Sequence, residues 1–236
     1  SDTTPPSSIY NIPSLLLSQD VLSTIRSLLG YSEQKIDLSL WNARTSSTPT
    51  KTLTIAIVGK YNTSDAYISI IESLNHAAYY LGYKLKLKFL INKSKELLEF
   101  PWSYLDTVDG IIIPGGFGVR SIDSKLAAIN YACEVGIPTL GICLGFQCMI
   151  VNYARKQDLK GLSLASSTEF DPSTPYNVID LLPNQEHKAS GGTLNLGAKP
   201  IDILESSYTY SLYQTFSPSS TSPSEKASAS STRLIM

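Results

Sequence analysis

Long apolar runs, surplus charge, paired cysteines and histidines are all scarce in this 236-residue sequence. No stretch approaches the roughly 18 consecutive apolar residues that a membrane-spanning helix needs. The opening Ser1-Asp-Thr-Thr-Pro-Pro6 carries neither the charged nor the apolar region of a secretory signal. Nineteen basic residues against twenty acidic ones leave a net charge of −1. That balance removes the electrostatic basis for holding a nucleic acid or an anionic membrane surface. Three cysteines, Cys133, Cys143 and Cys148, are too few and too clustered for a disulfide framework. Two histidines, His76 and His187, and no C-x-x-C pair argue against a structural zinc site. The expectation is a cytoplasmic, metal-free chain with no nucleic-acid or membrane partner. With 42% hydrophobic and 17% charged residues, it has the composition of a globular protein.

Three zones of composition divide the chain. Residues 1–50 hold one amphipathic stretch, with Val21, Ile25, Leu28 and Leu29 at helical spacing and Gly30 as its stop. A second stretch, Ile36 to Trp41, leads into a polar linker. One helix and a tryptophan cannot form a core, so this zone is expected to be an arm packed on something else. Residues 51–216 alternate strand and helix patterns. Leu53–Val58 and Ile111–Ile113 are buried-strand runs, Lys84–Phe89 alternates as a half-exposed strand, and Pro138–Ile142 is a further strand. Helices are expected from Asp65, as N-cap, to Leu81, over Ser121–Glu134, and over Leu144–Arg155. Extended pieces are expected over Tyr176–Leu182 and Thr193–Leu204, around a Gly-rich turn. This order predicts an α/β fold: a mostly parallel open sheet with helices on both faces. Residues 217–236 are mostly Ser, Thr and Pro up to Thr232, with almost nothing to bury, and read as a disordered tail.

Chemistry in open α/β sheets gathers beyond the carboxyl ends of strands. Two strand ends here are unusual. Gly141-Ile-Cys143-Leu-Gly145 places a nucleophile between a strand and a helix, with small residues where a sharp turn would crowd its neighbours. The same placement puts the sulfur at a helix N-terminus, whose dipole favours thiolate. A buried, inert cysteine is the competing reading. Pro114-Gly-Gly-Phe-Gly118 follows the neighbouring strand, and its glycines allow a backbone N–H to turn toward a substrate. Gly116 N–H and Leu144 N–H are the candidate oxyanion donors. The loop lacks the G-K-[ST] ending of a phosphate-binding loop. Cys133 and Cys148 fall on helices and read as core residues, as does His76. The fourteen tyrosines read as packing residues.

Pro114–Arg120 and Gly141–Gln147 together resemble the signatures of class I glutamine amidotransferases. Val58-Gly-Lys-Tyr61 with Asp65-Ala-Tyr67, Ser167-Thr-Glu-Phe-Asp171 and Gly191–Gly197 narrow the resemblance to the glutaminase domain of CTP synthases. Ser8–Leu17 resembles the end of the synthase domain in that family. The resemblance implies a flavodoxin-like glutaminase fold over residues 51–216, incomplete at its C-terminal end, preceded by the tail of a synthase domain and a linker over 1–50. It implies glutamine hydrolysis through a thioester on Cys143, with the ammonia used for ATP-dependent amination of UTP to CTP. Gly116, Phe117, Leu144, Gly145, Phe146, Gln147 and Glu169 would form the oxyanion and glutamine-binding residues. L-glutamine is the implied substrate and a synthase domain or full-length synthase chain the implied partner, in an assembly that is usually homotetrameric. No cofactor is expected on this region. ATP and Mg2+ belong to the synthase domain, and GTP is the implied allosteric activator, linked to the 191–193 loop.

The sequence departs from the family pattern in several places. The family's catalytic His and Glu lie in an H-P-E-like motif well beyond the nucleophile, and no H-x-E follows Cys143 here. His187 is the only later histidine, in a polar loop where the family is variable. The family's Arg-rich stretch and a later glutamine-holding Arg are missing too. Ser121 replaces a Gly, Phe146 a Met, and Asn195 the usual Arg of the Gly-Gly-Thr loop, which weakens the case for a normal GTP response. The expectation is a glutaminase region truncated before its triad is complete and inactive alone. Two readings stay open beside it: a non-catalytic interaction module docking on a full-length synthase, and another class I amidotransferase such as a GMP-synthase-type partner.

Overall fold

A computed structural model describes residues 9–32, 34–45, 49–91, 93–157, 161–180, 200–216 and 233–235. The chain divides into two compact units, Ser1–Asn184 and Gln185–Met236.

The first unit opens with a 3-10 turn at Ile9–Asn11 and the helices α1 (Ile12–Ser18), α2 (Val21–Leu29) and α3 (Ser39–Thr45). β1 (Lys51–Gly59), α4 (Ile68–Leu81), β2 (Tyr83–Ile91), α5 (Ser94–Glu99), α6 (Trp102–Leu105), β3 (Gly110–Ile113), α7 (Ile122–Val135), β4 (Thr139–Gly141) and α8 (Leu144–Arg155) follow. A short parallel pair, β5 (Ser166–Ser167) and β6 (Asn177–Ile179), ends the described part of this unit. The main sheet has the order β2-β1-β3-β4, with every pairing parallel. The chain crosses from β1 outward to β2, then returns to β3 on the other side. The carboxyl ends of β1 and β3 therefore flank a topological switch point, where ligands of such sheets bind.

The period-2 pattern of the strands explains the layers. Ala56, Val58, Ile111 and Ile113 face one side and pack with Leu97, Leu105, Ile129, Leu144 and Cys148 of α5–α8. Ile55, Ile57 and Ile112 face the other side, against Ile70, Ile71 and Leu74 of α4. Ile57 and Ile113 are wholly buried. Burying such a side chain stabilises the fold by about 1.5–3 kcal/mol. The expected α/β architecture, with helices on both faces, is the one observed.

Several details differ from the sequence reading, first in the arm, where α1 and α3 join the single helix expected at α2. Asp65 does not cap α4: it lies in the 3-10 turn Ser64–Tyr67, and Tyr67 occupies the cap position without a side-chain cap bond. Tyr67 is instead only 3% exposed and builds the loop after β1, as described below. Cys133 is exposed, because it sits on the outer side of α7, while Cys148 is buried as expected. His76 is exposed on α4, with its ring edge-on to Tyr10, centroids 5.3 Å apart.

Tyr10 is what fastens the arm. It is buried among Trp41, His76 and Tyr79, with its ring centroid 5.0 Å from that of Tyr79. Its hydroxyl donates to Glu72 Oε2, and the Trp41 indole N–H donates to the Tyr10 carbonyl at 2.8 Å. α2 ends as its sequence requires, with Gly30 at φ +70 closing the helix.

In the second unit, β7 (Pro200–Asp202) pairs antiparallel with β8 (Arg233–Ile235), and α9 spans Tyr208–Phe216. The extended expectation over Thr193–Leu204 meets β7 at 200–202, and its residues 193–199 lie outside the described residues. The same holds for His187, the Gly-Gly-Thr loop and residues 217–232 of the Ser-rich stretch. Among the described residues, no helix is long and apolar enough to cross a membrane.

Truncating Tyr10 removes a buried aromatic anchor. Tyr10→Ala is expected to destabilise the protein by about 3 kcal/mol or more, and Tyr10→Phe by about 1–2 kcal/mol through loss of the Glu72 bond. Urea unfolding followed by tryptophan fluorescence reads both. Wild-type midpoints for the pair would mean that the arm is not held by this residue.

Candidate active site

The junction of β4 and α8 has the backbone that the Gly-x-Cys-x-Gly pattern predicts. Cys143 sits at φ 53, ψ −113, a conformation that costs an L-residue roughly 1–3 kcal/mol and persists only where packing enforces it. The enforcement is visible on both sides. A Cβ on Gly145 would lie 1.9 Å from the Ile113 carbonyl oxygen, and one on Gly141 would lie 2.7 Å from the Gly145 carbonyl oxygen. The first turn of α8 thus presses against the end of β3, and only glycine fits. Cys143 is exposed, whereas the next residue, Leu144, is buried. Leu144 begins α8, so its N–H lies in the turn where no intrahelical carbonyl is available.

The Gly-rich loop after β3 lies directly against this elbow. A Cβ on Gly115 would come 3.2 Å from Cys143 Cβ and 3.8 Å from its Sγ. Gly116 has φ +153, a backbone conformation that L side chains rarely adopt. Phe117 and Phe146 are both exposed beside the elbow segment, and Gln147 is half-buried one turn into α8. The Gln147 Oε1 atom is buried without a hydrogen-bond partner. Glu169 is held in the turn after β5, where its N–H donates to Ser167 Oγ at 3.2 Å. Its carboxylate faces the loop after β3, with Gly118 N–H reaching Oε1 at 3.4 Å. The structure therefore gathers Gly116, Phe117, Cys143, Leu144, Gly145, Phe146, Gln147 and Glu169 at the carboxyl edge of β3 and β4.

Two lysines of the site carry no role in the sequence reading. Lys60 follows β1 and is 7% exposed; its ammonium donates to the Phe117 carbonyl. Lys125, on α7, is wholly buried and donates to Pro114 O at 2.7 Å and Val58 O at 3.3 Å. Burial lowers the Lys125 pKa to about 8; Cys148 raises it slightly and Lys60 lowers it further. Burial pushes the Cys148 thiol up to about 11. The signal for Lys125 was present in the sequence. It falls on the helical stripe Ile122–Lys125–Ile129–Ala132, where every other member is apolar and buried.

The Val58-Gly-Lys-Tyr61 and Asp65-Ala-Tyr67 segments form one unit. The Tyr67 hydroxyl accepts the N–H of Lys60 at 2.6 Å and of Tyr61 at 2.8 Å. A Cβ on Gly59 would lie 2.6 Å from that same hydroxyl, so the glycine admits the tyrosine. Ser121, where the resembling family has glycine, adopts φ +69, a left-handed conformation that suits glycine better than serine. Among the described residues, no group of three or more His, Cys, Asp or Glu side chains could hold a metal ion.

The family model for class-I glutamine amidotransferases matches residues 62–230. The chain belongs to that family. Its relatives include the CTP synthase of Cyanothece sp., 42% identical over 211 residues, and that of Nostoc punctiforme, 43% identical over 211. Each alignment covers 88% of this chain and 38% of the relative. The CTP synthase of Pyrococcus furiosus is 41% identical over 208 residues, covering 86% and 38%. The chain thus spans well under half the length of these curated relatives. Among solved structures, the glutaminase domain of Trypanosoma brucei CTPS, with bound acivicin, superposes with a TM-score of 0.58 at 30% identity, covering 69% of this chain and 62% of that one. The amidotransferase resemblance read from the Gly-Gly and Gly-x-Cys-x-Gly signatures is therefore established, and the similarity to CTP synthases with it.

Two outcomes follow from this geometry. Gly145→Ala adds a methyl group where no space exists, and is expected to cost about 3 kcal/mol or more in urea unfolding. A wild-type midpoint would show that α8 does not press on β3. The second outcome concerns pH. The Lys125 pKa is lowered from 10.5 to about 8, so above about pH 8 the unfolded chain binds more protons than the folded one. Stability therefore rises with pH in that window. The Cys148 shift, from 9.0 to about 11, opposes it only above pH 9. Compared with Lys125→Met, the wild type should gain stability between about pH 7.5 and about pH 9. A pH-independent difference between the two proteins would show that the ammonium is not desolvated.

Proposed function

We propose that this chain is the glutaminase region of a CTP-synthase-type ligase, with Cys143 as the nucleophile that attacks the side-chain amide of L-glutamine. The observation that carries the reading is Cys143 held at φ 53, ψ −113 against the Gly115–Gly116 loop. In the reaction, Sγ bonds to the amide carbon and the carbonyl oxygen takes negative charge beside Gly116 and Leu144 N–H. The C–N bond then breaks, the proton given up by the Cys143 thiol passes to the departing ammonia, and water cleaves the thioester to glutamate and restores the thiol. Glu169 suits the substrate α-ammonium, since a carboxylate facing the loop stabilises a cation there. The unpaired Gln147 Oε1 offers a second acceptor for the same end of the substrate. Phe117, Gly145 and Phe146 shape the cleft around the glutamine chain.

The ammonia would serve a synthase domain that aminates UTP, in a homotetrameric cytoplasmic assembly; three free cysteines accord with a reducing compartment. ATP and Mg2+ act in that synthase domain, and GTP acts as an allosteric activator linked to residues 191–193, with Asn195 in place of the usual Arg weakening its effect. Proton transfer needs a base positioned by a carboxylate. No H-x-E follows Cys143 within these 236 residues. The second reading is a glutaminase-like module that docks on a full-length synthase without turning over glutamine itself.

A chloroketone analogue of glutamine separates these ideas. It is expected to alkylate Cys143 in preference to exposed Cys133 and buried Cys148, with protection by L-glutamine, as read by peptide mass mapping. Equal labelling of Cys133 would overturn the nucleophile assignment. Ammonia release from glutamine by the chain alone is expected to be negligible. Release that GTP stimulates would exclude the non-catalytic reading, and release indifferent to GTP would point to another class I amidotransferase.

A further inference from the structure

We propose that Lys125 and Lys60 form a clamp that sets the peptide planes at the two ends of the Gly115–Gly118 loop and so positions its N–H donors beside Cys143. They are positioning residues, not catalytic ones, because neither ammonium contacts the nucleophile.

The argument rests on trans peptide geometry. The peptide bonds of the described residues include no cis bond, so each C=O and the following N–H point in opposite directions. Lys125 Nζ holds the Pro114 carbonyl at 2.7 Å, which turns the Gly115 N–H away from the buried ammonium. Lys60 Nζ holds the Phe117 carbonyl, which turns the Gly118 N–H the other way. That N–H does point elsewhere, toward Glu169 Oε1. Between these two fixed planes lie only the peptides on either side of Gly116, the residue whose φ of +153 marks the turn.

The clamp is anchored at its base as well. Lys125 also donates to Val58 O at 3.3 Å, tying the loop after β3 to the end of β1. Lys60 is fixed by its own N–H, donated to Tyr67 Oη. The two ammonium groups come from different elements, α7 and the loop after β1, and both are almost fully removed from water. An ammonium is buried at a cost that only charge-assisted bonds offset. Burial lowers the Lys125 pKa to about 8, with Cys148 and Lys60 as the charged or ionisable neighbours that act on it, so the ammonium form is present at neutral pH.

The inference rests on the glutaminase reading above for its purpose, but the loop geometry stands apart from it. The test therefore has two arms. In the first, the γ-aldehyde analogue of glutamine adds to Cys143: an S–C bond forms, the carbonyl pair moves to oxygen, and that oxygen takes up the thiol proton with nothing leaving. Its adduct needs the loop donors, whereas alkylation by iodoacetamide does not. Lys125→Met and Lys60→Met are each expected to weaken aldehyde binding at least about tenfold while the iodoacetamide rate at Cys143 stays within about twofold of wild type. In the second arm, the amide resonances of Gly115 and Gly118 are followed by NMR; in both variants they should shift and exchange faster, with those of α8 unchanged. Unaltered aldehyde affinity and unaltered glycine amides would overturn the clamp. A parallel loss of aldehyde binding, iodoacetamide reactivity and α8 protection would also overturn it, by showing a merely structural role. If the wild type binds no aldehyde yet the glycine amides respond to the lysine variants, the clamp stands and the glutaminase reading fails.

Discussion

The site depends on one close approach: the first turn of α8 against the carboxyl end of β3, where the Ile113 carbonyl leaves no room for a side chain at position 145. That contact decides the rest. With α8 so close to the sheet, the chain leaving β4 has only Ile142 and Cys143 in which to reverse direction, and Cys143 takes the strained conformation. The strain is tolerable because the flanking elements are buried: Ile113, Leu144 and Cys148 belong to one core cluster. Packing worth several kcal/mol holds a residue whose backbone alone would relax. The result is a thiol presented at the surface by residues that are themselves fully buried.

The sheet order sets where this happens. Because β1 and β3 are neighbours whose connections leave in opposite directions, a crevice opens at their carboxyl ends. Polar carbonyls at those ends would otherwise be buried without partners. Lys125 and Lys60 meet that need from opposite sides, and the same bonds define the loop that faces the cysteine. A buried ammonium is an expensive means of satisfying carbonyls, since water or a neutral donor would do. What the charge adds is direction, because several charge-assisted bonds to named oxygens leave the loop few alternative conformations.

The parts of this arrangement that were legible in the sequence are those governed by local patterning. β1, β3 and α8 announce themselves through apolar runs and periodicity, and the elbow through the spacing of small residues around Cys143. The parts that were not legible depend on neighbours distant in sequence. Asp65 has the chemistry of a cap, yet Tyr67 is drawn into the loop after β1 because Gly59 leaves room for its hydroxyl. Cys133 lies in a mostly apolar helix, and only the rotation of α7 onto the sheet shows that its side faces water. His76 reads as a core residue, yet it lies exposed on α4, where Tyr10, sixty-six positions earlier, meets its ring edge-on. Lys125 differs from these: its place on the apolar stripe of α7 was a local signal, overridden by the expectation that a lysine in an amphipathic helix lies at the surface.

Nucleophile geometry and proton transfer are separable properties in this fold. Among the described residues, those that shape the thiol's surroundings lie between Gly59 and Glu169: the elbow, the Gly-Gly loop, the two lysines and the carboxylate beside Gly118. None of those residues is a histidine, and the described one, His76, sits with the arm on α4. The elbow is therefore a self-sufficient device for presenting and addressing a thiol. Turnover in the proposed reading would need, in addition, a base positioned by a carboxylate. In the glutaminase reading proposed above, such a site would be acylated on the strength of local packing, while its rate would answer to whatever brings the base into reach.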